Sequence, residues 1–204
     1  EESSTQVEKK PTGGPSGDAP PKPGRKNPTA FLIALGAVLL AVITALVSFA
    51  VLILFDQWTK ALAVKHLMDQ DPFVLIEGVF QLRYLENRGA AFGMMQGQKT
   101  FFLITAVIAV AVIAYAYFKL PWEKRFHPLR AIGLFIAGGA IGNMIDRVVL
   151  GYVVDFFYFE LIDFPIFNVA DIYVTCATIL LAILILFYYK EEELDCLFPK
   201  KKEK

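Results

Sequence analysis

The chain has 204 residues, and its 20 Lys and Arg residues balance 20 Asp and Glu residues to a formal net charge of zero. This balance excludes a simple basic nucleic-acid-binding domain, because binding by counterion release requires an excess of cationic side chains. Hydrophobic residues make up 56% of the chain, against roughly 45–50% in an average soluble domain. The class of protein therefore depends on where this apolar excess lies along the chain.

Residues 1–30 are polar and contain many Pro, Gly and Ser residues, which predicts a disordered tail.

Three long apolar runs account for most of the excess. Uncharged runs follow at 31–55, 100–118 and 172–189. Because about 20 apolar residues cross a hydrocarbon core ~30 Å thick, we predict membrane-spanning helices over these runs, the last one beginning at Asp171.

A fourth apolar segment has only 15 uncharged residues before Asp146 and Arg147. At ~1.5 Å per residue it would reach about 22 Å, which is short of a full crossing. We therefore predict that this helix continues past both charged residues and covers 131–149. It carries three residues that allow close approach by a neighbour or a ligand, Gly138, Gly139 and Gly142.

The distribution of basic residues predicts the orientation of the four helices. The segments 1–30, 119–130 and 190–204 together carry 14 Lys and Arg residues, whereas the segments on the opposite side carry six. The positive-inside rule therefore predicts both termini in the cytoplasm, with 191–204 as a charged cytoplasmic tail.

Part of the outer segment alternates in hydrophobicity. Within Phe80–Tyr84, Phe80, Leu82 and Tyr84 face one way in a strand and the polar residues face the other. With Asn87 and Gly89 as turn residues, this period predicts a small β-element over about 70–95. Such an element could cradle an extended peptide or cover the helix bundle as a lid. The predicted fold class is thus an all-α polytopic membrane protein with four transmembrane helices and a small extracytoplasmic β-element.

Ionisable residues near a bilayer are costly and mark function by default. Asp56 and Lys60 lie at i,i+4 spacing after the first run, which also suits a helix-end ion pair worth a few tenths of a kcal/mol. Asn143, Asp146 and Arg147 share one helix face. They could form a structural network or present a polar surface to a substrate head group, and their spacing favours neither.

Two acids on the outer side suggest catalysis. Asp155 lies among aromatic and β-branched residues, which raise a carboxyl pKa unless a donor compensates. Asn168 is positioned to N-cap the last helix with Asp171 at N3, and a first-turn acid is the simpler interpretation of Asp171 alone. Two carboxylates a few Å apart share a proton, as in an aspartic protease. Together, the two acids predict a membrane hydrolase.

Two other classes of function fit part of the pattern. In a proton-coupled small membrane transporter, membrane carboxylates would carry protons, although the acids cluster at one surface and no inverted repeat is visible. In a non-catalytic membrane subunit, the polar residues would serve folding alone. We predict no metal site and no disulfide, since His66, His127, Cys176 and Cys196 lack the required spacing.

Five blocks, in this order along the chain, resemble the lipoprotein signal peptidase (signal peptidase II) family. They are FDQWTK, ENRGAAFG, GGAIGNMIDR, GYVVDFF and FPIFNVAD, and they cover roughly residues 31–190 together with the predicted spans. The resemblance implies an aspartic endopeptidase of the bacterial cytoplasmic membrane. Such an enzyme removes the signal peptide from diacylglyceryl-modified prolipoproteins and cleaves before the lipid-modified cysteine.

The resemblance also implies roles for individual residues. Asp155 and Asp171 match the catalytic dyad, and Asp146 matches an acid that we expect to support Arg147. The polar positions that line the site are matched by Asn87, Asn143, Arg147 and Asn168. The first motif is matched by Asp56 and Lys60. The β-cradle motif is matched by Gly89, Ala90 and Phe92.

The expected partners follow from the same resemblance. They are diacylglyceryl-modified prolipoproteins, membrane lipids and inhibitors of the globomycin type, and we expect no cofactor, no nucleic acid and a monomer. We expect the active site on the extracytoplasmic side of a multi-pass inner-membrane protein. We also expect the signal helix of the substrate to pack against the glycine-bearing helix 131–149.

Overall fold

The computed structural model describes residues 28–89 and 97–197, and the remaining residues of the two predicted tails lie outside this range. Residues 28–40 form one helical unit, and residues 41–197 belong to a second compact unit. The helices and strands, in chain order, are α1 Pro28–Leu67, β1 Phe73–Ile76, β2 Phe80–Asn87, α2 Lys99–Lys119, α3 His127–Val149, β3 Val153–Tyr158, α4 Val169–Phe187 and α5 Glu191–Leu194.

Four of the described helices are long and apolar enough to cross a membrane. They cover Phe31–Leu67, Lys99–Lys119, Lys124–Val149 and Val169–Phe187. Together with one small antiparallel sheet, they confirm the predicted class of a polytopic membrane protein with four spans. The side of the membrane on which the sheet lies stays a prediction.

Helix α1 is longer than the sequence predicted, because it continues from position 55 to Leu67. Asp56 and Lys60 therefore lie inside the helix, and their side chains are 0% and 4% exposed. The two side chains face the protein, where partners on α3 replace water. The interpretation of this pair as a helix-end ion pair is therefore wrong.

Helix α3 continues through Asp146 and Arg147 to Val149, as predicted. Its glycines let its neighbours approach closely. A Cβ atom on Gly139 would lie 2.5 Å from the backbone oxygen of Ala170, and one on Gly142 would lie 2.5 Å from Oδ2 of Asp56.

The protein's own α1 and α4 therefore occupy the glycine-bearing face of α3. On Gly138 a Cβ atom would meet Leu52 of α1 at 3.2 Å, and Gly138, Gly139 and Gly142 are all buried. The glycines therefore serve packing within the protein, and the expectation that a substrate signal helix packs against helix 131–149 stays a prediction.

The sheet has three antiparallel strands in the order β1-β2-β3. The first two form the predicted β-element, whereas β3 comes from the block GYVVDFF, which the sequence did not identify as a strand. Leu85 lies opposite Asp155 and Asn87 opposite Val153, so the sheet register places the side chain of Asn87 near Asp155. The register shifts between Leu82 and Leu85, which interrupts the simple alternation.

A small core connects the sheet to two helices. Ala63 of α1, Val154 and Phe156 of β3, and Val169 of α4 are buried together. This cluster fixes β3 beside the start of α4, which places the two predicted catalytic acids on neighbouring elements.

The buried side chain of Arg130 stabilises the connection between α2 and α3. The Arg130 side chain donates hydrogen bonds to the backbone oxygens of Tyr117, Leu120 and Pro121 at 2.7–3.2 Å. Its guanidinium also lies 4.2 Å from the ring centroid of Trp122. These contacts satisfy carbonyl groups at the end of α2, where the helix leaves them without partners.

Candidate active site

One cavity of about 490 Å³ contains both predicted catalytic acids. Asp155 reaches it from β3 and Asp171 from the first turn of α4, while Asn87 and Asn143 line it from β2 and α3. Most of the remaining wall is apolar and includes Phe102, Val153, Phe164, Pro165, Ile166, Phe167, Ile172, Thr175 and Cys176. The cavity therefore combines a small polar centre with an apolar wall.

Asp155 is only 1% exposed and accepts a hydrogen bond at each carboxylate oxygen. Asn168 Nδ2 donates to Oδ1 at 2.6 Å, and Asn87 Nδ2 donates to Oδ2 at 2.8 Å. Burial, and after it the negative charge of Asp171, raises the pKa of the Asp155 carboxyl from 3.8 to about 7, against the opposing effect of the two hydrogen bonds. A carboxyl with this pKa can hold or release a proton near neutral pH.

Asp171 lies at position N3 of α4 in a complete capping box. Its backbone N–H donates to Asn168 Oδ1 at 3.0 Å, and its Oδ2 accepts the backbone N–H of Asn168 at 3.2 Å. This confirms the predicted N-cap. The other carboxylate oxygen, Oδ1, accepts Asn143 Nδ2 at 2.8 Å, and Asp171 lines the cavity.

Three asparagine amides present their NH₂ groups to the two acids, and their own oxygens determine this orientation. Asn87 and Asn168 each accept a backbone N–H at Oδ1, at 2.9 and 3.0 Å. Asn143 Oδ1 accepts Lys60 Nζ at 2.9 Å and Asn168 Nδ2 at 3.0 Å. If any of these amides turned over, it would lose those bonds and place an oxygen against a carboxylate.

All four carboxylate oxygens of the two acids therefore accept an N–H donor. Since an ionised carboxylate is an acceptor only, this network suits a negative charge on the pair. Any proton that the pair shares must occupy a lone pair that these donors leave free.

The Lys60 side chain contacts one residue on its own helix α1 and two residues on α3. Its Nζ contacts Asp56 Oδ2 at 2.9 Å, Asp146 Oδ2 at 3.0 Å and Asn143 Oδ1 at 2.9 Å. Asp56 Oδ1 in turn accepts the backbone N–H of Ala170 at 2.9 Å, which ties α1 to the first turn of α4. These charges are buried but paired, as buried ionic groups must be.

Asp146 has partners other than Arg147. Its hydrogen-bond and ion-pair partners in the described part of the chain are Lys60, Gln57 and the backbone N–H of Val154, at 3.0, 2.9 and 3.1 Å. None of these contacts is with Arg147, so the expected support of Arg147 by Asp146 does not take the form of a direct bond. Adjacent helix residues point in directions about 100° apart and do not face each other.

Arg147 borders the cavity on another side. Its guanidinium donates to the backbone oxygens of Gly89 at 3.2 Å and Asn143 at 3.4 Å, and it lies 4.6 Å from the ring centroid of Phe102. The structure thus brings together every predicted site residue that it describes. Ala90 and Phe92 lie outside the described residues.

Sequence reasoning missed Gln57 and the loop before α4. Gln57 Nε2 lies within hydrogen-bond distance of Asp146 Oδ1, the Gly142 oxygen and Asp56 Oδ2. Its place in the FDQWTK block could have indicated this, but that block was interpreted as the end of the first helix. Residues 164–167 contribute to the wall through their apolar side chains, which carry no polar signal in the sequence.

The arrangement suits hydrolysis by a carboxylate pair. It offers a carboxyl that titrates near neutral pH, a second carboxylate whose charge influences it, and fixed N–H donors around both. Across residues 28–89 and 97–197, no group of three or more His, Cys, Asp or Glu side chains is placed to hold a metal ion.

Comparison with known proteins identifies the family. A family model described as signal peptidase (SPase) II matches residues 48–187. The chain is 45% identical to a lipoprotein signal peptidase of Caldanaerobacter subterraneus subsp. tengcongensis over 144 residues, which cover 70% of this chain and 96% of that protein. It is 44% identical to a lipoprotein signal peptidase of Streptococcus thermophilus over 146 residues, which cover 72% and 92%.

Solved structures support the same assignment. A bacterial membrane enzyme determined by the in meso method at 2.3 Å resolution is 31% identical, with a TM-score of 0.60 over 79% of this chain and 94% of that chain. Another, at 1.9 Å resolution, is 32% identical, with a TM-score of 0.62 over 72% and 94%. These matches do not favour the transporter alternative. They confirm the resemblance read from the five blocks and the expectation of a membrane peptidase: the chain belongs to the signal peptidase II family.

Proposed function

We propose that this protein cleaves the signal peptide from diacylglyceryl-modified prolipoproteins immediately before the lipid-modified cysteine. The observation that carries the proposal is the pair Asp155 and Asp171 in one cavity, with an N–H donor on every carboxylate oxygen. The names of the relatives agree with this substrate class.

In the proposed reaction, a water molecule between the two acids attacks the scissile carbonyl carbon. One carboxylate takes a proton from the water as the C–O bond forms, and the proton already shared by the pair moves to the carbonyl oxygen. The tetrahedral intermediate then collapses: the amide nitrogen receives the proton that the carboxylate took from the water, the C–N bond breaks, and one hydroxyl proton of the intermediate returns to the pair. The products are the carboxyl end of the signal peptide and the free amine of the lipid-modified cysteine.

Asn87, Asn143 and Asn168 support this reaction as fixed donors around the pair. They do not transfer protons themselves, since their amides do not titrate in the neutral range. Their value lies in preorganisation, because donors already in place need not reorient when charge moves between the two carboxylates. Arg147 and Gly89 border the space that the substrate backbone would enter.

We further propose that the cavity opens on the extracytoplasmic side, with both termini in the cytoplasm. The excess of Lys and Arg in the terminal segments and in the 119–130 loop supports this orientation. Fusions of a periplasm-active reporter to residue 204 and to the β1–β2 turn test it. We expect activity from the turn fusion only, and the reverse pattern would contradict the orientation.

The proposed reaction is tested with the full chain purified in detergent and a diacylglyceryl-modified prolipoprotein, with cleavage followed as a gel shift. We expect cleavage by the unaltered protein, inhibition by globomycin, and loss of cleavage in Asp155→Asn and Asp171→Asn. The same prolipoprotein without the diacylglyceryl group serves as the substrate control. Full cleavage by either Asn variant would exclude the dyad.

A further inference from the structure

We propose that Gln57 is a positioning residue that holds the catalytic pair in place through Asp146. The inference rests on the proposed function, since it assigns Gln57 a part in that same reaction. Gln57 does not line the cavity and touches neither Asp155 nor Asp171 in the contacts that the described residues make.

The first step of the argument concerns Asp146. This carboxylate is 3% exposed, and its two oxygens have different partners. Oδ2 accepts Lys60 Nζ and the backbone N–H of Val154, whereas Oδ1 accepts Gln57 Nε2 at 2.9 Å. Gln57 is the donor that the described structure gives to Oδ1, so its loss would leave a buried charged oxygen without a partner.

The second step follows Asp146 to the first catalytic acid. The Val154 N–H that Asp146 accepts, at 3.1 Å, belongs to the residue immediately before Asp155. This bond ties β3 to the end of α3, eight positions earlier in the chain. The orientation of Asp146 therefore sets the position of the backbone that carries Asp155.

The third step follows Lys60 to the second acid. Lys60 divides its three N–H donors among Asp56, Asp146 and Asn143, and Asn143 donates to Asp171. If Asp146 lost the Gln57 donor, it would draw Lys60 more strongly and weaken the bond that orients the Asn143 amide. A single donor on Gln57 thus influences both acids.

The fourth step explains why a glutamine suits this position. Nε2 also lies 3.2 Å from the backbone oxygen of Gly142 and 3.2 Å from Asp56 Oδ2. The side chain must therefore supply N–H donors to several acceptors without adding charge. The substitution Gln57→Glu would put a third carboxylate beside Asp56 and Asp146, with one lysine to neutralise them.

The test compares Gln57→Met and Gln57→Glu with Gln81→Met in the prolipoprotein cleavage assay. Met keeps the length of Gln but donates no hydrogen bond, and Glu keeps its shape but reverses its hydrogen-bonding role. Gln81, on β2, is the control because it is a glutamine at least as shielded as the half-buried Gln57, at 8% exposed, and lies outside the cavity wall. Thermal unfolding in detergent shows which variants are folded.

We expect kcat to fall about tenfold in Gln57→Met and further in Gln57→Glu, because a hydrogen bond to a charged group is lost. KM should change by less than about twofold, since the cavity wall is intact. Gln81→Met should retain normal kcat. A purely structural role for Gln57 would instead reduce the folded fraction and leave the kcat of the folded enzyme unchanged, and this result would overturn the inference. Either Gln57 variant suffices if the other does not fold.

A double-mutant cycle with Asp146→Asn tests the route of the effect. Rates are measured in single turnover with excess enzyme, so that slow variants still give a rate. If Gln57 acts through Asp146, Gln57→Met should cost less than about twofold in the Asp146→Asn background. An equal loss in both backgrounds would overturn the proposed route. Absence of cleavage by the unaltered protein would instead contradict the proposed function, which separates the two failures.

Discussion

Asn168 donates a hydrogen bond of 2.6 Å to Oδ1 of Asp155 from the N-cap position of α4. The same side chain therefore begins a membrane helix and holds the carboxylate of Asp155, one of the two proposed catalytic acids. Its oxygen serves the helix by accepting the N–H of Asp171, and its NH₂ group serves Asp155 and Asn143. Helix capping depends on the oxygen of this side chain, and the bond to Asp155 depends on its NH₂ group. A mutation that keeps only the oxygen can therefore separate the two.

Replacing Asn168 with Ser should separate the two roles. Ser remains a good N-cap acceptor, but it has no NH₂ group for Asp155. We expect a fall in kcat of about tenfold or more, together with a loss of stability from the missing Nδ2 bonds to the buried Asp155 and to Asn143. Asn168→Ala should show the same loss of activity and an additional loss of stability of roughly 1 kcal/mol. Equal stability of the Ser and Ala variants would contradict a capping role.

The protonation of Asp155 should make both activity and stability depend on pH. Its carboxyl pKa is about 7 in the folded protein and 3.8 as the reference value. The folded state therefore retains a proton that the unfolded chain has lost, and the stability from this proton is fully present below about pH 4 and is lost as the pH rises through 7. The shift corresponds to a loss of at most about 4 kcal/mol.

The measurement is thermal unfolding of the unaltered protein and of Asp155→Asn between pH 5 and pH 9, with cleavage assayed over the same range. We expect the unfolding temperature of the unaltered protein to fall with pH relative to that of the Asn variant, which cannot ionise. Cleavage should decline above pH 7 as the shared proton is lost. A constant difference in unfolding temperature across this range would contradict the raised pKa.

The close contacts of α3 predict that small additions to its glycines will destabilise the protein. A Cβ atom on Gly139 would meet the Ala170 backbone oxygen at 2.5 Å, and backbone cannot move aside easily. We expect Gly139→Ala to lose roughly 1–3 kcal/mol of stability through overpacking. Gly133→Ala is the control, because its Cβ would meet only a terminal carbon of Ile113 at 3.1 Å. If both variants unfold at the same temperature, α3 and α4 are less tightly packed than the structure indicates.

Much of this site could be predicted from the sequence because local rules determine it. The four spans followed from the lengths of apolar runs, and the capping box from the spacing of Asn168 and Asp171. The five blocks pointed to the residues that meet in the cavity.

The remaining features depend on contacts between elements that are distant in the chain. Strand β3 pairs with β2 across a separation of 68 residues between Asn87 and Asp155, and its apolar residues lack a strand-like alternation. The partners of Asp146 could not be predicted because Lys60 and Gln57 come from another helix. Gln57 lies in the FDQWTK block, but no local feature of that block shows that its amide contacts Asp146.

Arg130 offers a prediction about folding that is independent of catalysis. Its guanidinium is 5% exposed, donates to three backbone oxygens and stacks over Trp122. Arg130→Ala leaves those oxygens without donors, so we expect a loss of roughly 3 kcal/mol or more in thermal stability. Arg130→Lys should recover only part of it, because an ammonium group lacks the planar fork that reaches several carbonyls. Arg130 lies outside the wall of the cavity that contains Asp155 and Asp171. The folded fraction of either variant should therefore cleave prolipoprotein with normal kcat. A specific fall in kcat would show instead that the α2–α3 connection influences the proposed active site.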